Sequence, residues 1–454
     1  MADPSTCPPL TPSSIRTAYS KIRPYVHTTP LLTSHSLDAI ASAVDPRVFL
    51  SDDPPTSFGC SEKTGMSNND NDNDNLHTGP NFRLFFKCEN FQKIGAFKAR
   101  GAFHAVVRLI EELGVEEVRR RGVVTHSSGN HAQALALAAS TFSIPSYIVM
   151  PKISTPSKIA GTRLYTPNVI FSGSTSDERE AVVAEVIAEK NAILVPPYDH
   201  PDIIIGQGTV GLEMEEQLLQ KRLSDIEQSA SFRDSAFDAV ITPLGGGGLL
   251  GGTATWFSDK PETRVFGAEP SFEGGDDGRR GLQAGKRVEH VKTLTIADGL
   301  RTPVGVLNFE ILSDPTKLEA LYAVTEDQIK AAMRLVYERL KVVVEPSAAV
   351  GLAVVLFNGG FRARVAEAQR TQNNEDAVWN VGIVFSGGNT TMKAVSKLFA
   401  EDLDLRLEGE GQEGGHGEDR NQKTSQSHVH DIVGERHQGT IGADGGKKVE
   451  DIAG

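Results

Sequence analysis

Lys98 lies in FQKIGAFKARGAF (91–103), between Phe97 and the small residues Ala99 and Gly101, with Lys93 and Arg100 close by. A lysine on a tightly packed apolar stretch has two uses. It can snorkel, burying its stem while the ammonium stays in water. Or it can be held in a cleft where lost hydration lowers its pKa and makes it a nucleophilic amine. A second stretch bears on the choice. Four consecutive glycines, Gly245–Gly248, follow the strand-like DAVITP and precede a helix-like segment. Without Cβ atoms, the N–H groups at such a helix start can converge on one anion and cradle a phosphate, the alternative being a tight turn. No Walker lysine follows the glycines, which argues against a nucleoside-triphosphate fold, and a dinucleotide fold is also a weak candidate. A phosphate cradle together with a cleft lysine suggests pyridoxal phosphate, whose aldehyde needs an amine.

The elements that must carry these groups alternate along the chain. VVTHSS (123–128), SYIVMP (146–151), DAVITP (238–243), RVFGAEP (264–270) and VGIVF (381–385) read as strands. GNHAQALALAAS after the first, and EREAVVAEVIAEKN (178–191) after the second, read as helices. Such alternation predicts an α/β fold with parallel sheets and helices on both faces. Ligands in these sheets bind beyond the carboxyl ends of the strands. Three of the strands stop in small polar or glycine-rich loops, at Ser127–Asn130, Gly245–Gly248 and Ser386–Asn389. RVFL (47–50) and FRLFFKCE (82–89) also read as strands. The Asn/Asp-rich run between them, within 51–80, reads as an unstructured insertion at a loop tip.

Composition narrows the function classes. The 454 residues carry a formal net charge of −13, which argues against a nucleic-acid partner. Thirteen acidic and six basic residues fall from Glu401 onward, a net of −7, so the segment 401–454, which includes the acidic tail (405–454), holds over half the imbalance. Its His428, His430 and His437 read as part of a solvated tail, not as a metal site. The three cysteines, Cys7, Cys60 and Cys88, are widely spaced, and they fit reduced thiols in the cytoplasm better than a disulfide framework. No basic-then-apolar leader and no run of about 18 apolar residues is present, so neither a secretory signal nor a membrane span is expected.

Taken in order, FFKCENFQKIGAFKARGA, THSSGNHAQAL, IGQGTVGLE, PLGGGGLLGG, TIADGLRTPVG, VVEPSAAVGLA and VFSGGN resemble the fold-type II pyridoxal-phosphate enzymes of the serine racemase and serine/threonine dehydratase group, from about Ile15 to Ala400. The resemblance implies a two-domain, tryptophan synthase β-like fold: a large cofactor-binding domain over 1–118 and 198–404, and a small domain over 119–197. It also implies a role for each matching residue. Lys98 would form the Schiff base and shuttle the α-proton, with Phe97 packed beside the ring. Gly245, Gly246, Gly247, Gly248 and Leu249 would hold the phosphate, Asn130 the phenolic oxygen and Ser386 the pyridine nitrogen. A neutral hydroxyl at that nitrogen weakens the ring as an electron sink. That favours loss of a β-hydroxyl, or reprotonation at Cα, over transamination.

For the substrate, a small β-hydroxy amino acid, the resemblance implies carboxylate binding by the turn Ser127, Ser128, Gly129, Asn130, His131, with Arg179 closing over it. Thr302 stands where racemases carry a serine. Tyr198 stands where animal racemases have a polar residue and dehydratases often have an aromatic one. Ser128 would be the second catalytic group, on the face opposite Lys98, although a serine there can also simply cap the following helix. EPSFEGGDDG (269–278) resembles a Mg²⁺ or Ca²⁺ loop with Glu269 and Asp277 as carboxylate ligands and a backbone carbonyl near Gly275. The loop is two residues longer than in animal racemases, which leaves Asp276 as an alternative to Asp277. Lys93, Gln133, Tyr165, Lys341 and Asn389 match an ATP site at a homodimer interface, with ATP as an effector. The expected activity is serine racemisation, dehydration to a keto acid and ammonia, or both. The rival readings are a threonine or 3-hydroxyaspartate dehydratase and a non-catalytic pyridoxal-binding regulator.

Overall fold

The computed structural model describes residues 3–51, 79–226, 236–371 and 377–400. The Asn/Asp-rich run and the acidic tail with its histidines lie outside these. Among the described residues, ten strands occur in chain order: β1 (Leu31–Thr33), β2 (Phe82–Cys88), β3 (Val123–His126), β4 (Ser146–Pro151), β5 (Val169–Ser172), β6 (Ile193–Leu194), β7 (Ala239–Pro243), β8 (Arg264–Pro270), β9 (Ala320–Val324) and β10 (Trp379–Phe385). They make two sheets. One has six strands in the order β1-β2-β10-β7-β8-β9, and the other four in the order β5-β4-β3-β6. All pairings are parallel except that of the short edge strand β1 with β2. All four strands of the smaller sheet fall within 119–197.

Helices cover both faces because successive side chains on a strand point to opposite sides. In the larger sheet, Leu84, Phe86, Ile241, Phe266 and Ile383 enter one apolar cluster, with the helix Pro346–Phe357, which is buried from Ser347 to Leu356. Their strand neighbours Phe85, Val240, Val265 and Val384 enter another, with the helices Pro201–Ile226 and Gly248–Phe257. The smaller sheet divides in the same way: Val123, Ile148 and Ile193 pack on one side, Val124 and Val149 on the other. Strands buried on both faces read as continuous apolar runs, which is why FRLFFKC and VGIVF were legible.

RVFL is a correction. Residues Pro46–Leu50 form a 3₁₀ turn, not a strand. Pro46 fixes φ and lacks an N–H, Asp45 caps the turn by accepting from Arg47 N, and Phe49 and Leu50 pack on the core from that turn. Among the described residues, no single helix is long and apolar enough to cross a membrane.

Candidate active site

The strands β3, β7 and β10 deliver their C-terminal loops to one place. Lys98 begins the helix Lys98–Leu113, just after a tight turn in which Ile94 and Gly95 both take positive φ (60° and 71°). That turn is tied to the loop after β10: Phe97 N donates to Ser386 O at 3.0 Å and Gly388 N to Gly95 O at 2.9 Å. Left-handed backbone is costly for a β-branched residue. At Ile94 the carbonyl is held by Asn389 Nδ2 at 2.7 Å.

The helix that starts with Lys98 is anchored from within. Arg100 is fully buried, and its guanidinium grips Glu89 through two 2.8 Å bonds and Glu213 at 2.9 and 3.1 Å. Lys87, also buried, donates to Glu213 Oε1 at 2.6 Å and to the Thr29 carbonyl at 2.8 Å. Two cations and two carboxylates therefore balance inside the protein, joining β2, the lysine helix and the helix Pro201–Ile226.

Lys98 itself is partly buried. Its Nζ donates to Pro197 O at 2.7 Å, and the rings of Phe97 and Tyr198 lie 5.1 and 5.9 Å away. Loss of hydration pushes its pKa down to about 7. His131, buried nearby, is pushed down to about 3 by burial and then by the charge of Lys98. It is a neutral imidazole whose Nε2 faces Val195 O at 3.4 Å.

The glycine loop is a place of close approach. A Cβ on Gly246 would collide with the Tyr198 ring and one on Gly248 with the Gln207 amide, while Gly247 has φ +97° and only 2.6 Å to Asn308 Cβ. Gly245 sits over Leu300, 3.0 Å from its Cα to a notional Cβ. The helix begins at Gly248, so the N–H groups of its first turn, which includes the buried Leu249, have no intrahelical acceptor. Both side-chain polar atoms of the buried Gln207, and Oδ1 of Asn308, also lack partners. Donors without acceptors at a helix start, beside a lysine of lowered pKa, fit the phosphate and aldehyde of pyridoxal phosphate.

Asn130 opens the helix Asn130–Thr141 and joins the turn to two other loops. Its Nδ2 donates to Glu345 Oε1 at 2.8 Å, and its Oδ1 accepts from Asn389 Nδ2 at 2.8 Å. Burial, followed by the charge of Asp298, pushes Glu345 up to about 7. Ser127 Oγ accepts from Gly129 N at 3.2 Å. The helix has no side-chain cap and Ser128 is exposed, so the capping use of Ser128 is not observed. Arg179 donates to Ser174 O at 2.8 Å and acts electrostatically on His126 and Tyr198. Thr302 is half-buried in the loop that follows Leu300, the residue lying against Gly245.

The acidic loop after β8 is built on its own helix start. Glu269 accepts from Gly278 N at 2.8 Å and from Arg279 N at 2.9 Å, and Asp277 Oδ2 accepts from Val304 N at 3.0 Å. Burial and then the charge of Asp277 push Glu269 up to about 8; burial pushes Asp277 up to about 6. Asp276 is instead engaged by Arg279 and Arg280, which favours Asp277 as the partner of Glu269. Gly275 closes the intervening turn, its N–H donating to Phe272 O. A buried carboxylate pair with this mutual repulsion fits a divalent cation.

The residues matched to an ATP site are spread over several elements. Asn389 is engaged by Ile94 and Asn130, Gln133 lies against Gly161, and Tyr165 packs with the core beside the smaller sheet. Lys93 stacks its ammonium 5.8 Å from the Phe103 ring, and Lys341 bonds to the Glu338 carbonyl. Sequence reasoning assigned no role to Glu345, Pro197, Gln207 or Asn308. Glu345 and Gln207 were within reach as buried-polar signals, standing inside the apolar VVEPSAAVGLA and IGQGTVGLE, whereas a backbone acceptor such as Pro197 O leaves no sequence signal.

Residues 72–372 match the family described as pyridoxal-phosphate dependent enzyme. A serine racemase of Arabidopsis thaliana is 38% identical over 389 residues, covering 85% of this chain and 95% of that protein. An L-threo-3-hydroxyaspartate ammonia-lyase of Saccharomyces cerevisiae is 38% identical over 321 residues, 70% of this chain and 86% of that one. Among solved structures, a maize serine racemase superposes with a TM-score of 0.66 at 34% identity, covering 87% of this chain and 99% of that chain.

Proposed function

The chain belongs to the pyridoxal-phosphate-dependent enzymes, and from that premise we propose that it is a serine racemase that also deaminates serine or threonine by β-elimination. The observation that carries this reading is the meeting of two features at Tyr198, whose ring lies 5.9 Å from the ammonium of the lysine of lowered pKa and packs against Gly246 of the glycine loop. Gly245–Gly248 and Leu249 would hold the cofactor phosphate, Asn130 its phenolic oxygen, Ser386 its ring nitrogen, and Phe97 its face. When bound, pyridoxal phosphate supplies an aldehyde for an amine and a ring that spreads the charge left on a deprotonated Cα.

The chain's own groups do the rest. With a pKa near 7, Lys98 is in part a free amine at neutral pH and can take a proton from Cα on one face and return it. The N–H groups at the start of Asn130–Thr141 favour the substrate carboxylate at the Ser127–His131 turn, with Arg179 as the closing cation. Ser128, exposed and not spent as a cap, is the proton donor for the far face. Racemisation needs both faces, whereas elimination needs only that of Lys98.

The same reading places Mg²⁺ or Ca²⁺ at Glu269 and Asp277, takes the enzyme as a cytoplasmic homodimer, and gives ATP an effector role through Lys93, Gln133, Tyr165, Lys341 and Asn389. It also takes 119–197 as the small domain. A dehydratase without racemase activity is the second reading, favoured by the aromatic Tyr198. Purified protein incubated with L-serine, L-threonine and 3-hydroxyaspartate, with chiral products and keto acids measured together, separates the two. D-serine formed from L-serine supports the racemase, and keto acid without D-serine leaves the dehydratase.

A further inference from the structure

We propose that Cys7, His200 and Asp202 form a binding site for a soft divalent cation of the zinc class, separate from the acidic loop after β8. The three residues come from two places: Cys7 from the N-terminal segment, His200 from the end of the loop that carries Tyr198 into the helix Pro201–Ile226, and Asp202 from the first turn of that helix. One ligand atom from each lies within 4.8 Å of the other two. Cys7 Sγ is 3.4 Å from Asp202 Oδ2, and His200 Nδ1 is 3.9 Å from the same oxygen. A tetrahedral zinc ion with bonds of about 2.0–2.3 Å holds its ligands about 3.3–3.8 Å apart, so two of the three edges are already near that size. His200 and Asp202 are buried and Cys7 half-buried.

The N-terminal segment is docked, not loose. Cys7 ends a 3₁₀ turn, Pro4–Thr6, and its N–H bonds to Pro4 O, while Arg108 donates to Thr6 O at 3.4 Å. Arg108 Nε also stands 3.5 Å from Asp202 Oδ1, the other oxygen of the carboxylate that faces Cys7. Contacts that would give way to a cation include a 3.5 Å one from the Cys7 thiol to the Asp3 carbonyl. Asp202 N donates to His200 Nδ1 over a long 3.3 Å, and the Cys7 thiol donates its proton toward Asp202. Binding releases that thiol proton to solvent and leaves a thiolate on the ion. A sulfur, an imidazole nitrogen and one carboxylate select zinc, cobalt or copper over Mg²⁺ and Ca²⁺. The fourth position falls to water. The ion would fasten the N-terminal segment to the loop whose Pro197 carbonyl holds Lys98.

The test is Co²⁺ titration of the full-length, pyridoxal-phosphate-loaded protein in excess Mg²⁺, after removal of bound metal, read as difference spectra against cobalt-free protein. The expected result is one Co²⁺ per chain showing a thiolate-to-metal band and the intense visible bands of a four-coordinate site, displaced by Zn²⁺. Cys7→Ser should lose the thiolate band, and His200→Gln should weaken binding by about tenfold or more. Metal-free circular dichroism of both variants confirms that they fold, and either variant suffices if the other does not. Absence of the thiolate band in the wild type would overturn the proposal and leave any bound ion to ligands other than thiols, and its survival unchanged in a folded Cys7→Ser variant would overturn it by assigning the ion to another thiol.

Discussion

The ammonium of Lys98 donates a 2.7 Å hydrogen bond to the carbonyl of Pro197, and loss of hydration there pushes the lysine down from 10.5 to about 7. The cofactor-free protein should therefore capture pyridoxal phosphate at a rate that rises through pH 7 and then levels, whereas an ordinary lysine would keep gaining up to about 10.5. The sign for stability follows from proton counting. Between about 7 and 10.5 the unfolded chain binds more protons at this residue than the folded one, so stability rises with pH across that window. Comparing cofactor-free wild type with Lys98→Met by denaturant unfolding at several pH values isolates the effect. A difference that does not change with pH would show that the lysine is solvated.

Arg100 is the residue on which the position of Lys98 depends. Replacing it with Ala leaves Glu89 and Glu213 buried with only Lys87 to balance them. Removing one partner from a buried network of this kind costs about 3–5 kcal/mol. Chemical denaturation of Arg100→Ala should show a loss of that size, together with weaker cofactor retention. A loss below about 1 kcal/mol, the range of exposed pairs, would contradict the described burial.

Much of this was legible in the sequence for a physical reason. Strands buried on both faces are largely apolar, so β2, β7 and β10 could be read directly despite the buried Lys87 and Asn380, and the chemistry lies where they end. RVFL failed because Asp45 and Pro46 set a local turn that outweighs β-branched composition. The joining of Asn130, Glu345 and Asn389 was out of reach, since residues 215 and 259 positions apart meet only through the topology of two sheets. Cys7 was read as one of three isolated thiols because its partners, His200 and Asp202, are nearly two hundred residues away.

On the proposed reading, Ser128 separates the two activities. Its hydroxyl is exposed on the turn and does not cap the helix. Ser128→Ala should abolish D-serine formation while keto-acid formation from L-serine stays largely intact. Chiral chromatography run beside a coupled keto-acid assay reads both from one incubation. An equal fall in the two activities would make Ser128 a general structural contact.

Removing divalent metal should lower both melting temperature and activity, and Mg²⁺ or Ca²⁺ should restore both. Glu269 and Asp277 repel each other in a buried setting, and a cation bound only by the folded state adds stability by mass action, about 2.7 kcal/mol at a hundredfold excess over Kd. Glu269→Gln should blunt the response to added cation. A melting curve that chelation leaves unmoved would dispose of this site.

The central claim is that Lys98 is the amine that takes up pyridoxal phosphate. Borohydride reduction of the cofactor-loaded protein followed by peptide mapping tests it most directly. The pyridoxyl group should be recovered on Lys98, in the peptide carrying GAFKAR, and Lys98→Ala should lose both the visible absorption and the label. Recovery of the label on another lysine, or an unchanged spectrum in Lys98→Ala, would contradict the account.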